Sequence, residues 1–411
     1  MKFFILLGDG MADLPISELK KKTPLGYAHK PNMDKLATKS FCGMVKTIPD
    51  GMEPGSGPAN MAVMGYDPGE FYTGRSPLEA VSLGLDVKSD DMVYRCNLVS
   101  LTLAHGAPYE SAKMLDYSSG EITTEESRQL IQSIEERLGK EGMHFFPGRS
   151  YRHCLVWKNG PAELSLTPPH DISGKPIATH LPKGDRADDI LEMMKISEEV
   201  LRDHPVNVAR REKGLHTADS IWLWGQGTKP ALPLFEEQYG LRGAMISAVD
   251  LLFGLGRCSG LEPVEVPGAT GNLHTNFSGK ATAAISMFES GYDYVYLHVE
   301  APDECGHQGD TKGKVAAIES IDQLILAPVL GYLERNQQLN GEDYHVMVLP
   351  DHPTPISIRT HADTPVPFML YKSEERIHEK AIPMYSEEAA ATTGVFIESG
   401  PKLFKLFIDK E

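Results

Sequence analysis

Acidic residues follow three runs of β-branched and aromatic residues in this chain. Asp9 follows residues 3–7, Asp303 follows residues 293–299 by four positions, and the pair Asp351-His352 follows residues 344–349. Runs of that composition, short and bounded by turn residues, are predicted to be buried parallel strands. Parallel α/β sheets bind ligands at the carboxyl edge of their strands. A single Asp in that place is more often a turn residue or a helix N-cap, and Gly8-Asp9-Gly10 makes a good turn. Three such placements point instead to a site.

Imidazoles accompany the carboxylates. His307 stands four residues after Asp303, a spacing that would align two ligands on a helix, but Pro302, Gly306 and Gly309 predict a loop or irregular turn there. Asp351 and His352 would face opposite ways on a regular strand. Pro350 and Pro353 end the strand, which lets both enter one site, and His361 follows within reach. Asp9, Asp303, His307, Asp351, His352 and His361 can hold two divalent cations if one more oxygen completes the shell. Mixed oxygen and nitrogen donors without thiolate suit Mn²⁺, Zn²⁺, Co²⁺ or Mg²⁺. Two such ions about 4 Å apart clamp an in-line phosphoryl or sulfuryl displacement. The plainer alternative is one cation bracing loops.

Ser56 is the candidate nucleophile, in Gly55-Ser56-Gly57-Pro58-Ala59-Asn60. The glycines allow close backbone approach, and Pro58 fits the first turn of a helix whose N-terminus would stabilise an alkoxide and a phosphate. On local sequence alone, Ser56 as a simple helix cap is the better reading. Its company with the acidic and imidazole set reverses that.

The elements that must position these residues read as an α/β fold with a mainly parallel sheet. A helix with Val315, Ile318, Ile321, Leu324, Ile325, Val329 and Leu333 on one stripe lies between the second and third strands, kinked or divided at Pro328. Further strands are expected at 221–224 and 244–249, and a helix at 279–288. Residues 91–184 have a mixed order: a strand at 95–103, a helix opened by the capping pair Thr123 and Glu126, and a strand at 153–157. We read them as a smaller α+β domain inserted into a core made of 1–90 and 185–411. The stretch 167–176 has the composition of a hinge or site loop.

Composition narrows the function. The 411 residues carry 40 Lys plus Arg against 57 Asp plus Glu, a net charge of −17 that disfavours nucleic acid or an anionic membrane as partner. Any small anionic substrate must be held by a few local cations. The five cysteines show no CxxC spacing and fit free thiols in a reducing compartment. The apolar run at 3–7 is too short for a signal segment, and no apolar stretch nears the roughly 20 residues of a membrane span, so the chain is expected in the cytoplasm. The sequence leaves the oligomeric state open.

Several blocks resemble one family. Gly8-Asp9-Gly10-Met11-Ala12-Asp13, the Pro54-Gly55-Ser56 turn leading to Met64-Gly65-Tyr66-Asp67-Pro68, Thr73-Gly74-Arg75-Ser76-Pro77-Leu78-Glu79-Ala80, Trp222-Leu223-Trp224-Gly225-Gln226-Gly227, Pro267-Gly268-Ala269-Thr270-Gly271 and Val299-Glu300-Ala301-Pro302-Asp303 resemble the archaeal-type, cofactor-independent phosphoglycerate mutases of the alkaline phosphatase superfamily. The resemblance spans nearly the whole chain. It implies an alkaline-phosphatase-like core with an inserted transferase domain, two divalent metal ions with Mn²⁺ foremost, no bisphosphoglycerate cofactor, and a phosphoserine intermediate. It would put Asp303, His307 and His361 on one metal and Asp9, Ser56, Asp351 and His352 on the other. Arg75, Arg152, His153, Arg210 and Lys280 would be the candidates for gripping the phosphate and carboxylate of a small phosphorylated hydroxy acid. The chain departs from the pattern at Gly57, where many relatives carry an acidic residue, at Asn60, where some have histidine, and at His274, where aspartate is expected. The expected reaction is interconversion of 3- and 2-phosphoglycerate. The rivals are a metal-dependent phosphatase or a homoserine kinase-like phosphotransferase, and a noncatalytic metal-binding relative.

Overall fold

A computed structural model of the chain describes residues 1–104, 106–375 and 377–409. The chain divides into two compact units, Met1–Tyr72 with Ala231–Glu411, and Thr73–Pro230.

Among the described residues the first unit is built on an eight-stranded sheet. Its order is Glu262–Val264, Gly243–Ile246, Tyr294–Val299, Lys2–Gly8, Tyr344–Leu349, Val366–Lys372, Phe41–Val45, Phe396–Ile397. The three runs singled out above are its centre. Lys2–Gly8 pairs in parallel with both neighbours, Gly8 opposite Val299 and Leu7 opposite Leu349. That register ends all three strands at one level, so Asp9, Glu300 and Asp351 leave the sheet at the same edge. Phe3, Phe4, Ile5, Leu6 and Leu7 are all fully buried, as a strand covered on both faces requires. Val366–Lys372 runs antiparallel to both its partners, which makes the sheet mixed.

The helical stripe expected at 315–333 spans Thr311–Asn340, but its break comes before the proline. Ile321–Leu326 is a π-helical segment and Pro328 sits in the first turn of the next helix, Ala327–Asn340. The wider turn shifts the phase of the stripe. Ile325 and Leu326 are buried while Leu324, an expected core residue, is exposed. The 30-residue run Thr311–Asn340 is also long and apolar enough by composition to cross a bilayer, contrary to expectation. Its Ile318, Ile321, Ile325, Leu326, Val329 and Leu333 belong instead to the core cluster that includes Phe4, Leu6, Val295 and Val346 of the central strands.

The second unit is antiparallel. Asp91–Thr102 is its long strand, pairing with Lys113–Asp116, Arg152–Lys158 and Ser220–Thr228, while Met143–Arg149 pairs with Arg152–Lys158. Helix Thr124–Leu138 opens with the expected capping box, Thr123 Oγ1 accepting from the Glu126 N–H and Glu126 Oε2 accepting from the Thr123 N–H. The unit is wider than the 91–184 insertion expected from composition. Ser220–Thr228 pairs along Asp91–Thr102 from Val99–Ser220 to Met92–Thr228, and helix Ala187–Arg202 buries Ile190, Met193, Met194 and Leu201 in the same core cluster. The 167–176 stretch is docked: the Met114 N–H donates to Lys175 O, the Gly174 N–H donates to Met114 O, and Ile172 is buried. All five cysteines are buried, and none forms a disulfide among the described residues.

One ion-pair cluster braces this unit. Arg95 donates to both oxygens of Glu79, at 2.8 and 2.6 Å, Arg75 Nε donates to Glu79 Oε1 at 2.7 Å, and the Arg95 guanidinium lies 4.5 Å over the Trp224 ring. Burial opposes ionisation of Glu79, but the Arg95 and Arg75 charges and hydrogen bonds outweigh it and hold the carboxyl at about 2, below its ordinary 4.5. A depressed folded-state value means the stabilisation is present above the ordinary value and is lost as pH falls towards about 2. Trp157, Trp222 and Trp224, the chain's three tryptophans, all lie in this unit, so tryptophan fluorescence follows its unfolding. Glu79→Gln is expected to lower the urea midpoint at pH 7 and to flatten its decline in acid. An unchanged acid decline would remove Glu79 as its source.

Candidate active site

Each chemical group at the carboxyl edge of the sheet is placed by the peptide that follows a strand. Gly10, directly after Asp9, has φ of +60° and donates its N–H to Asp351 Oδ1 at 3.1 Å. The His352 N–H donates to the same oxygen at 2.9 Å, and Asn60 Nδ2 donates to Asp351 Oδ2 at 2.8 Å. Asp303 stands in helix Ala301–Gln308, and this corrects the loop expected there. Pro302 lies in the first turn, where no backbone N–H is needed, and Gly309 ends the helix with φ of +73°. Asp303 and His307 therefore share one helix face, Oδ2 and Nε2 3.3 Å apart.

Ser56 begins helix Ser56–Val63 but caps no backbone N–H among the described residues. Its Oγ lies 3.3 Å from Asp9 Oδ2 and 3.2 Å from His352 Nε2. His352 Nδ1 is 3.3 Å from Thr354 Oγ1, which itself donates to Asp303 Oδ1. Thr354 Oγ1 therefore accepts from His352 Nδ1–H, and His352 Nε2 presents a lone pair. The Ser56 proton has two acceptors, a carboxylate and an imidazole.

The donor set fits divalent cations. Asp9, Asp351 and His352 bring ligand atoms within 4.8 Å of one another, and so do Asp303, His352 and His361, with His352 common to both groups. Asp9 Oδ1 is buried with no hydrogen-bond partner among the described residues, a costly state for a carboxylate oxygen that a cation would relieve. His307 Nδ1 faces Arg359 O at 3.0 Å and His361 Nδ1 faces Pro54 O at 3.3 Å, so both Nδ1 atoms carry protons. Their Nε2 atoms then meet at 3.0 Å, a contact that a proton or a metal between them must resolve.

The titration behaviour follows from crowding. Burial, and then the charges of Asp351, Asp303 and Glu300, push the proton affinity of Asp9 well above the usual carboxylate range. Burial also opposes ionisation of Asp303, but hydrogen bonds from His307 and His361 reverse that and hold it well below the range. The hydrogen bond to Asp303 raises His307 to about 9, while burial lowers His352.

All seven expected residues, Asp9, Ser56, Asp303, His307, Asp351, His352 and His361, meet at this edge. The basic candidates are placed differently. Arg210 is buried and commits its guanidinium to Glu126, Ser119 O and His216 O. Lys280 is buried and donates to His298 O, and burial lowers it to about 8. His153 is buried, its Nδ1 accepting from the Gly148 N–H, and burial lowers it to about 3. Arg75 is paired with Glu79, and Arg152 lies exposed against the Tyr151 ring. Gly57 is explained by space, since a Cβ there would stand 2.5 Å from the Tyr72 hydroxyl. His274 is exposed, its N–H donating to Asn272 Oδ1.

Four residues at the site went unread in this role. His298 Nε2 lies 2.8 Å from Asp9 Oδ2, Thr354 links Asp303 to His352, Lys314 donates to Ala12 O, Asp13 Oδ2 and Thr354 O, and Asn60 holds Asp351. The available signal was a polar residue within an otherwise apolar buried element, clearest for His298 in Tyr294–Val299 and Asn60 in Ser56–Val63.

A family model described as 2,3-bisphosphoglycerate-independent phosphoglycerate mutase matches residues 37–207. The chain is similar to a probable 2,3-bisphosphoglycerate-independent phosphoglycerate mutase of Geobacter sulfurreducens, 46% identical over 410 residues and 100% of both chains. It is 48% identical over 391 residues to the Methanosarcina barkeri protein of that name, covering 95% of each. Among solved structures, a Pyrococcus horikoshii protein superposes with a TM-score of 0.80 at 29% identity, over 99% of this chain and 96% of that one. The cofactor-independent phosphoglycerate mutase of Thermoplasma acidophilum shares the fold, with a TM-score of 0.67 at 24% identity over 99% of both chains.

Gly10 gives the site a sharp steric test. A Cβ there would stand 2.5 Å from Thr354 Oγ1 and 2.7 Å from Asp303 Oδ1, on a backbone that disfavours side chains. Gly10→Ala is expected to lower the melting temperature and to abolish the rise that added Mn²⁺ is expected to give the unsubstituted protein. A full Mn²⁺-induced rise in the variant would show that the edge can repack around a methyl group.

Proposed function

The chain belongs to the 2,3-bisphosphoglycerate-independent phosphoglycerate mutase family, and on that premise we propose that it interconverts 3-phosphoglycerate and 2-phosphoglycerate with Ser56 as phosphoryl carrier. The observation that carries the chemistry is the Ser56 hydroxyl, set between Asp9 Oδ2 and His352 Nε2 beside two groups of metal-ligand type. Asp303, His307 and His361 would hold one divalent cation, and Asp9, Ser56, Asp351 and His352 the other. Mn²⁺ is the ion proposed, on the mixed carboxylate and imidazole donors without thiolate. When bound, such ions lower the pKa of the serine hydroxyl and offset the charge of the phosphoryl oxygens.

The chain's own groups account for the rest of the cycle. The Ser56 Oγ–P bond forms as the phosphoryl group's bond to one glycerate oxygen breaks. The proton leaves Oγ along its hydrogen bonds to Asp9 or His352, and the released glycerate oxygen gains one. In the second half the other glycerate hydroxyl attacks the same phosphorus, the Oγ–P bond breaks, and the proton count returns to its start. Because the group rides on Ser56, no bisphosphoglycerate is consumed. The N-terminus of helix Ser56–Val63 favours the phosphoryl charge. With Arg210, His153 and Lys280 buried, Arg75 and Arg152 are the stronger candidates for holding the substrate's anionic groups. Five cysteines outside any disulfide among the described residues fit a reducing compartment, so the cytoplasm is the proposed location.

An enolase-coupled assay with Mn²⁺ and 3-phosphoglycerate, and no bisphosphoglycerate, tests the reading. Sustained formation of 2-phosphoglycerate is expected, with Ser56→Ala at least about 1,000-fold slower, in the range seen when a nucleophile is removed. Intact mass after brief incubation with substrate should show a phosphoryl adduct that Ser56→Ala lacks. Release of inorganic phosphate in place of 2-phosphoglycerate would make the protein a phosphatase.

A further inference from the structure

Asn60 is polar at a fully buried helical position where every neighbour in Ser56–Val63 except Ser56 is apolar or glycine. Asparagine is a poor helix former, and a buried amide is costly unless all its groups are bonded. Here they are. Nδ2 donates to Ser56 O and to Asp351 Oδ2, both at 2.8 Å, and Oδ1 accepts from the Tyr296 hydroxyl at 2.6 Å. Tyr296 is itself fully buried, in the strand Tyr294–Val299.

We propose that Asn60, oriented by Tyr296, is a positioning residue that locks the Ser56 turn and the Asp351 carboxylate into one rigid arrangement. The inference rests on the reading of Ser56 as nucleophile and Asp351 as metal ligand. Three elements meet at this one amide: the nucleophile's helix, the loop after Tyr344–Leu349, and the strand Tyr294–Val299. The direction of each bond is fixed. Ser56 O accepts only, so Nδ2 must point towards it and towards the carboxylate. The Tyr296 O–H donating to Oδ1 makes the reversed amide unfavourable, because reversal would turn Oδ1 against Asp351 Oδ2.

The Asp351 carboxylate is thereby held from both sides. Gly10 and His352 donate to Oδ1 and Asn60 donates to Oδ2, which fixes the plane of the carboxylate and leaves the remaining face of Oδ2 near His352 Nε2, 3.3 Å away. Hydrogen bonds of this kind set the orientation and basicity of a metal-binding carboxylate. The Ser56 carbonyl bond acts on the other partner, holding the turn whose side chain must stay aimed between Asp9 and His352. A residue that merely filled the core would do neither.

The test uses the full-length protein as wild type, Asn60→Ala and Tyr296→Phe. Free Mn²⁺ is titrated by electron paramagnetic resonance, melting is followed without metal, and kcat and KM are measured in the mutase assay. Asn60→Ala is expected to weaken Mn²⁺ binding and to lower kcat, each by about 10- to 100-fold, with KM little changed. Tyr296→Phe, which removes only the orienting hydroxyl, should shift both in the same direction by less, with a cooperative melt without metal that is lowered by less than in Asn60→Ala, since one buried acceptor is left unbonded. Unchanged Mn²⁺ affinity and kcat in Tyr296→Phe and in any folded Asn60→Ala would overturn the inference. If Asn60→Ala does not fold, Tyr296→Phe decides alone. A wild-type protein without Mn²⁺ binding or turnover would instead bring down the reading of the site, and this inference with it.

Discussion

The arrangement depends on one electrostatic constraint: Asp9, Asp303 and Asp351 are buried together at a single sheet edge. At an effective dielectric constant near 20, two unit charges 4 Å apart repel by about 4 kcal/mol, so three ionised carboxylates cannot share a dry pocket uncompensated. Asp9 shows the consequence in its raised proton affinity and in its buried Oδ1, which has no hydrogen-bond partner among the described residues. Asp303 shows the opposite resolution, its proton affinity held low by hydrogen bonds from His307 and His361. The two states belong to one crowded set of groups that needs positive charge, and bound cations supply it more fully than protons do.

Holding like charges together requires a stiff frame, and the surroundings of the site supply one. The parallel register of the three central strands brings their ends to the same level. Beyond them, the loops are tied by groups with no other evident use. Lys314, buried in helix Thr311–Ser320, bonds Ala12 O, Asp13 Oδ2 and Thr354 O, and so clamps the loop after the first strand to the loop after the third. Thr354 then bonds Asp303 and His352. Gly10 leaves the space in which Thr354 and Asp303 meet. Geometry of this kind is costly to assemble and favours the reaction, because ligands fixed in advance need no rearrangement as charge develops.

Much of the site was legible in the sequence because its signal is topological. A buried strand followed by an acid can be read without knowing the partners, and this located Asp9, Asp303 and Asp351. Other parts were ambiguous for physical reasons. Pro302, Gly306 and Gly309 look like a loop, yet a proline in a helix's first turn and a glycine just past its end are also helix punctuation. Only the packing of Gly306 against Thr354, where a Cβ would stand 2.5 Å from Thr354 O, explains the third. The second unit is wider than residues 91–184 because its last strand, Ser220–Thr228, pairs along Asp91–Thr102 and is anchored just before its start by Ser100 Oγ donating to Thr217 O, 117 residues away in sequence, and no local pattern reports such pairing. His298, Thr354 and Asn60 mattered only once their partners were known.

The net charge of −17 also needs a structural reading. Several basic residues do not act on solvent at all. Lys30, Lys314 and Arg210 are buried and each pairs with a carboxylate, and Lys280 is buried against the His298 carbonyl, so none of the four is available at the surface to grip an approaching anion. At physiological ionic strength the field of the net charge is screened over about 8 Å, whereas the acidic edge lies in a buried region where screening is weak. A phosphorylated acid is therefore recognised at short range or not at all. The same crowding of carboxylates that would repel the substrate from a metal-free site becomes, once divalent cations are held there, the means of presenting their positive charge to it.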